Sequence, residues 1–149
     1  GPRLVVATPS GQHHEIGAMI AALVAALAGW RVTYLGPDLP AADLARAARE
    51  LRVAAIAVSL TVLDPAAVEE ILTLRRLAGR RMPILVGGRA MSRSDGHLDR
   101  AGVLRVRDVP ALRTTLASLA SRGVRAADSV SAGRRRDATG RAAKTEVPS

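Results

Sequence analysis

The strongest constraint in this sequence is a strict alternation of short apolar runs with helix-forming segments. Arg3 to Ala7 (RLVVA) is apolar and closes in the turn Thr8-Pro9-Ser10-Gly11. Glu15 to Ala28 has helical composition and stops at Gly29. Arg31 to Leu35 is β-branched and aromatic and reads as a strand, with Gly36-Pro37-Asp38 as the turn after it. Pro40 to Leu51 reads as a helix with proline in its first turn. Ala54 to Leu60 is a continuous apolar strand, and Pro65 to Gly79 a helix with Asp64 as N-cap. Met82 to Val86 is a strand running into Gly87-Gly88. Gly96 to Ala101 is weakly helical, Val103 to Val106 a strand, and Val109 to Ser121 a last helix capped by Asp108. Fully apolar strands separated by helices predict a parallel sheet covered on both faces.

The expected architecture is therefore α/β: a doubly wound, flavodoxin-like or Rossmann-like five-stranded parallel sheet with flanking helices and strand order 2-1-3-4-5. The chain has 149 residues, enough for one domain with a proper core. It does not begin with Met and reads as a domain cut from something longer. Its 48% hydrophobic content excludes a disordered chain. It has no cysteine, which excludes a disulfide scaffold, a thiolate metal site and a cysteine nucleophile, and suits a cytoplasmic location. Trp30 and Tyr34 are its only aromatic residues, too few for a base-stacking surface. The formal charge is +9, and residues 122–149 carry seven basic and three acidic residues. That segment is expected to be a basic, disordered tail, with an arm for nucleic acid or an acidic partner as the other reading. No secretory signal is visible, and the longest apolar run, Ile16 to Trp30, is too short to span a bilayer and reads as a buried helix.

In such sheets ligands bind beyond the carboxyl ends of the strands. The segments to search are Thr8 to Gly17, Ser59 to Asp64, Gly87 to Ser94 and Arg107-Asp108. A dinucleotide fingerprint fails, since the first turn offers only Gly11 and then Gly17. A P-loop fails because no lysine lies before the tail. A phospho-receiver site fails because the relevant strand ends carry Ser59, His13-His14 and Arg107 instead of carboxylates and lysine. A flavin mononucleotide site keeps one support, since Thr8-Pro9-Ser10-Gly11 has the composition of a phosphate cradle.

The first of these segments holds Gln12-His13-His14-Glu15-Ile16-Gly17. Two of the chain's three histidines sit there. A neutral imidazole binds a transition metal through one nitrogen and needs an acceptor for the other. Gln12 is near enough in sequence for its amide oxygen to orient His14; a pair of solvated loop histidines is the plainer alternative. Strand three ends Ser59-Leu60-Thr61, small hydroxyls beside which a ligand tail has room, or which cap backbone groups. Strand four ends Gly87-Gly88, an open groove or an ordinary turn.

Taken together, the elements x-x-H-x-x-G, S-x-T and G-G at three strand ends resemble the cobalamin (B12)-binding domain. The stretches TPSGQHHEIG, GWRVTYLGPDLP and AVSLTV are especially similar to the cobalamin-binding part of the MerR-type light-sensing transcriptional regulators. The resemblance covers about residues 3–121, leaving the tail outside. It implies that His14 is the cobalt ligand, replacing the cofactor's own dimethylbenzimidazole. It implies that Gly17 lets the first helix pack closely. Ser59 and Thr61 then lie beside the displaced nucleotide tail, and Gly87 and Gly88 open its slot. Gln12 falls where mutases and methyltransferases of this family usually have Asp and the sensors often have Glu. A neutral amide orients an imidazole without making it more basic, which argues against mutase or methyl-transfer chemistry. His13 and His97 are expected in solvent.

What the resemblance implies for function is a sensor part of a light- or B12-responsive transcriptional regulator. Its cofactor would be adenosylcobalamin, with methylcobalamin as the other form. In such sensors light breaks the cobalt–carbon bond, and oligomerisation and DNA binding change. The partners implied are a helical cap and a DNA-binding domain, upstream or on another chain, with DNA met only through them. A homo-oligomer is also implied, and no membrane. Two alternatives remain open: a B12-carrying subunit of a mutase or corrinoid methyltransferase, and an α/β interaction or flavin-binding module without cobalamin.

Overall fold

The computed structural model describes residues 1–142 apart from 94, 95 and 97. Expectations placed on Ser94 and His97 lie outside the described residues. The chain forms β1 (Arg3–Pro9), α1 (Ile16–Leu27), β2 (Arg31–Leu39), α2 (Ala41–Glu50), β3 (Ala55–Ser59), α3 (Pro65–Ala78), β4 (Ile84–Gly87), β5 (Leu104–Arg105) and α4 (Val109–Ala142), with short 3₁₀ turns at Arg89–Arg93 and Asp99–Ala101. The sheet has five strands in the order β2-β1-β3-β4-β5, and each pair is parallel. The doubly wound α/β expectation and its strand order hold.

Alternation along the strands divides the core. Val5 and Ala7 of β1, with Ile56 and Val58 of β3, face Leu44 of α2 and Ile71 and Leu74 of α3. Leu4 and Val6, with Ala57 and Leu85, face Trp30 and Leu112 and Leu116 of α4. Successive strand side chains point to opposite sides, so a central strand covered twice must be apolar throughout. Asp64 caps α3, its Oδ1 accepting from Ala67 N at 2.8 Å, and Asp108 caps α4 through Ala111 N at 2.8 Å. Arg75 ties the end of α3 to the approach to β4. Its guanidinium donates to the carbonyls of Ala101, Gly79, Met82 and Gly102, and these offset a burial that lowers its pKa.

Three expectations change. β2 does not stop at Leu35. It runs to Leu39, and its pairing with β1 shifts register after Val6 and again after Ala7, which absorbs Gly36 and Pro37 into the strand. Residues 122–142 are helical rather than disordered, because α4 continues through a stretch rich in Ala and Arg with no proline to stop it. And α1 is not a buried helix. Ala18 and Ala25 are its buried residues, while Ile16, Met19, Ile20, Leu23 and Leu27 are exposed. Its small side chains face the sheet, so the large ones are left outside.

Candidate functional site

The site is built from the loop after β1. Gln12 N donates to Pro9 O at 3.0 Å, closing the turn through Ser10 and Gly11. The Gln12 side chain is buried and crosses to the loop after β3. Its Oε1 accepts from Thr61 N at 2.9 Å and Val62 N at 3.3 Å, and its Nε2 donates to Val62 O at 3.2 Å. The role expected for Gln12, orienting His14, is thereby corrected. A buried amide pairs with the unmatched backbone groups nearest it, and those belong to Thr61 and Val62.

The rest of the loop is pinned with equal economy. The Thr8 hydroxyl donates to Gln12 O and accepts from Asp38 N at 2.9 Å. Asp38 Oδ1 in turn accepts from Gly11 N at 2.8 Å. The Thr8 hydroxyl and the Gly11 N–H, two donors of the supposed phosphate cradle, are therefore engaged inside the chain, which weakens the support for a flavin site there. Asp38 carries a φ of 55°, a left-handed backbone at the end of the Gly36-Pro37-Asp38 stretch that the strand absorbs.

His13 and His14 follow on this fixed base, both exposed, with no hydrogen bond or ion pair among the described residues. The imidazole of His14 is thus open to an external ligand. Among the described residues no three His, Asp or Glu gather as a metal-ion site. A metal on His14 would have to bring most of its ligands with it.

Gly17, Ser59 and Gly88 form a second unit, at the strand ends. A Cβ on Gly17 would lie 2.8 Å from Ser59 Oγ. A Cβ on Gly88 would lie 2.8 Å from the same oxygen and 2.4 Å from the Leu60 carbonyl, and Gly88 has a φ of +98°. Only glycine fits both demands at Gly88. Ser59 is held between the two glycines, buried, and its hydroxyl has no hydrogen-bond partner among the described residues.

These residues edge a cavity of about 150 Å³ between α1 and α4. Ala57 and Leu85 floor it, Ala21 and Leu112 wall it, and Gly17, Ser59, Gly87 and Gly88 bound it. Thr61 does not line it; its contribution is the backbone N–H given to Gln12. Ala21 and Leu112 were missed in the sequence because their apolar character reads as core. The Tyr34 hydroxyl is buried beside Glu15. Burial raises its pKa, and the nearby Glu15 charge raises it further.

Residues 2–107 match the B12 binding domain family, a stretch that takes in all five strands and both loops just described. The chain belongs to that family. This B12-binding domain is 38% identical over 89 residues to the HTH-type transcriptional repressor CarA of Myxococcus xanthus, which covers 59% of this chain and 31% of the repressor. The chain thus spans about a third of that relative's length. Its fold is similar to that of a cobalamin-binding protein from Desulfitobacterium hafniense, with a TM-score of 0.68 at 18% identity over 79% of this chain and 58% of that one. It is also similar to the methanol:cobalamin methyltransferase complex MtaBC of Methanosarcina barkeri, with a TM-score of 0.68 at 17% identity over 80% and 46%. At such identities these two likenesses speak for the shared fold. Among the described residues of the B12-binding domain, no helix is long and apolar enough to cross a membrane.

Proposed function

We propose that this domain binds cobalamin base-off, with His14 as the lower cobalt ligand and the nucleotide tail in the slot between α1 and α4. It then serves as the sensor part of a light- or B12-responsive transcriptional regulator. The observation that carries this reading is the slot, an apolar cavity kept open at the strand ends by Gly17, Ser59 and Gly88. The residues present fit the group. An exposed, unpaired imidazole suits a cobalt that arrives with its corrin nitrogens. The unpartnered Ser59 hydroxyl suits a tail with polar atoms, and the apolar walls suit its aromatic base. When bound, adenosylcobalamin supplies a cobalt–carbon bond that light can break. The chain's own part is to hold the His14 loop rigid through Gln12, Thr8 and Asp38, and to keep the slot clear.

The sensor reading is supported by the 38% identity to a transcriptional repressor. It implies a helical cap and a DNA-binding domain elsewhere in the protein, contact with DNA only through them, and a cytoplasmic location. Dark incubation with adenosylcobalamin, desalting and an absorption spectrum test it. A retained corrin spectrum with a base-off, histidine-on signature, lost in His14→Ala, is expected. A change of spectrum and of oligomeric state after green light is expected of a sensor, not of a mutase or methyltransferase subunit. A colourless protein with adenosyl-, methyl- and hydroxocobalamin alike overturns the reading for this chain.

A further inference from the structure

The slot between α1 and α4 is apolar along its floor and walls, yet charge stands at its rim. Two charged residues line it, Arg107 and Asp108, both in the step from β5 into α4. Asp108 is engaged by the helix: its Oδ1 accepts from Ala111 N and its carbonyl oxygen from Leu112 N. Arg107 is exposed, and its guanidinium has no hydrogen bond or ion pair among the described residues. The remaining polar side chain on the lining is that of Ser59, buried and likewise without a hydrogen-bond partner among the described residues. Ser59 closes β3 and Arg107 follows β5, with β4 and its Gly87 between them. Two strand spacings, about 10 Å, therefore set their backbones apart.

We infer that Arg107 is a specificity-determining residue of the slot, holding the phosphodiester that joins a corrinoid's nucleotide tail to its ring. The inference rests on the reading that the tail enters this slot. Layout argues for it. A nucleotide tail carries an aromatic base at one end and an anionic phosphodiester at the other. The floor of Ala57 and Leu85 suits the base, and a guanidinium at the rim suits the anion. Charge argues for it too. A phosphodiester stays ionised and a guanidinium stays protonated across the range in which a domain is folded, so the attraction does not depend on pH. The start of α4 adds to the same field, since a helix N-terminus favours an anion and Val109, its first residue, lines the slot. Asp108 is the one opposing charge on the lining, and its carboxylate is turned onto the Ala111 N–H. The consequence is a domain that tells a complete corrinoid from one lacking the tail by charge as well as by shape.

Equilibrium dialysis of this chain against hydroxocobalamin and against cobinamide, at low and high ionic strength, tests the inference. Arg107→Gln is expected to weaken cobalamin binding about three- to tenfold at low salt, and Arg107→Lys to recover part of the loss. The salt dependence of cobalamin binding is expected to flatten in Arg107→Gln. Cobinamide, which has no nucleotide tail, is expected to bind the parent and both variants equally. Arg113→Gln removes the same charge from an exposed position on α4 outside the slot lining, and is expected to bind cobalamin as the parent does. Because Arg107 is exposed, the circular dichroism spectrum is expected to be unchanged in its variants. A parent that binds cobalamin, with Arg107→Gln no weaker, overturns this inference and leaves the reading of the slot standing. So does an equal loss in Arg107→Gln and Arg113→Gln, which would assign the effect to net charge. So does an equal loss for cobinamide, which would place Arg107 against the corrin ring. A parent that takes up no cobalamin overturns the reading of the slot, and this inference with it.

Discussion

The side-chain amide of Gln12 both gives a hydrogen bond to the backbone of Val62 and takes one from it, across fifty residues of sequence. With the third bond, from Thr61 N, this amide splices the loop after β1 to the loop after β3. Gln12→Ala leaves those backbone groups unmatched and is expected to cost about 1–3 kcal/mol in urea unfolding. Gln12→Glu keeps the oxygen that accepts from Thr61 N and Val62 N but turns a second carboxylate oxygen on the Val62 carbonyl. It is expected to be less stable than the parent at pH 7.

Gly88 and Gly11 separate two reasons for a glycine. Both have positive φ, but a Cβ on Gly11 meets nothing within 4 Å, while one on Gly88 would strike the Leu60 carbonyl. Gly11→Ala is expected to cost about 1–2 kcal/mol, from the left-handed backbone alone. Gly88→Ala is expected to lose more than about 4 kcal/mol, enough to unfold a marginal domain. Comparative denaturation of the two variants checks the ordering.

The slot has its own test. Ala21→Leu adds three carbons to an apolar cavity of about 150 Å³, so folding stability is expected to hold or rise slightly. Cobalamin binding is expected to weaken at least tenfold. Cobinamide, which lacks the nucleotide tail, is expected to bind the variant and the parent equally. Equilibrium dialysis of both corrins with both proteins gives the comparison.

Tyr34 makes stability depend on alkaline pH. Its folded pKa lies above the model-compound value of 10.0, through burial first and the Glu15 charge second. The folded protein therefore holds the phenol proton more tightly than the unfolded chain. That contribution is complete below pH 10 and is lost as pH rises through the folded value. Tyr34→Phe is expected to remove this loss of stability at alkaline pH. As the only tyrosine, it can be titrated directly by its phenolate absorbance.

What was legible in the sequence was whatever neighbouring residues decide. The strand order follows from apolar runs and helices alternating, and the caps at Asp64 and Asp108 need only the next three residues. The role of Gln12 was hidden because its partners lie fifty positions away. The end of β2 was misjudged because Gly36-Pro37-Asp38 has turn chemistry, while the bonds that keep it in the sheet come from β1. The outer face of α1 was misjudged because apolarity alone does not say which side of a helix meets the core; the alanines do. The glycines of the slot were visible as glycines, and only the backbone showed that Gly88 has no alternative.

The two edges of the sheet set a limit on how copies of this protein can aggregate. β5 offers just Leu104 and Arg105, and β2 keeps unbroken register only over Arg31 to Tyr34 before it bulges and meets Pro37. Neither rim gives an incoming strand a long, flat ladder to extend. Amyloid-like growth through edge pairing is thereby discouraged in the folded state, so this domain stays dispersed at concentrations where a long open edge would template fibrils.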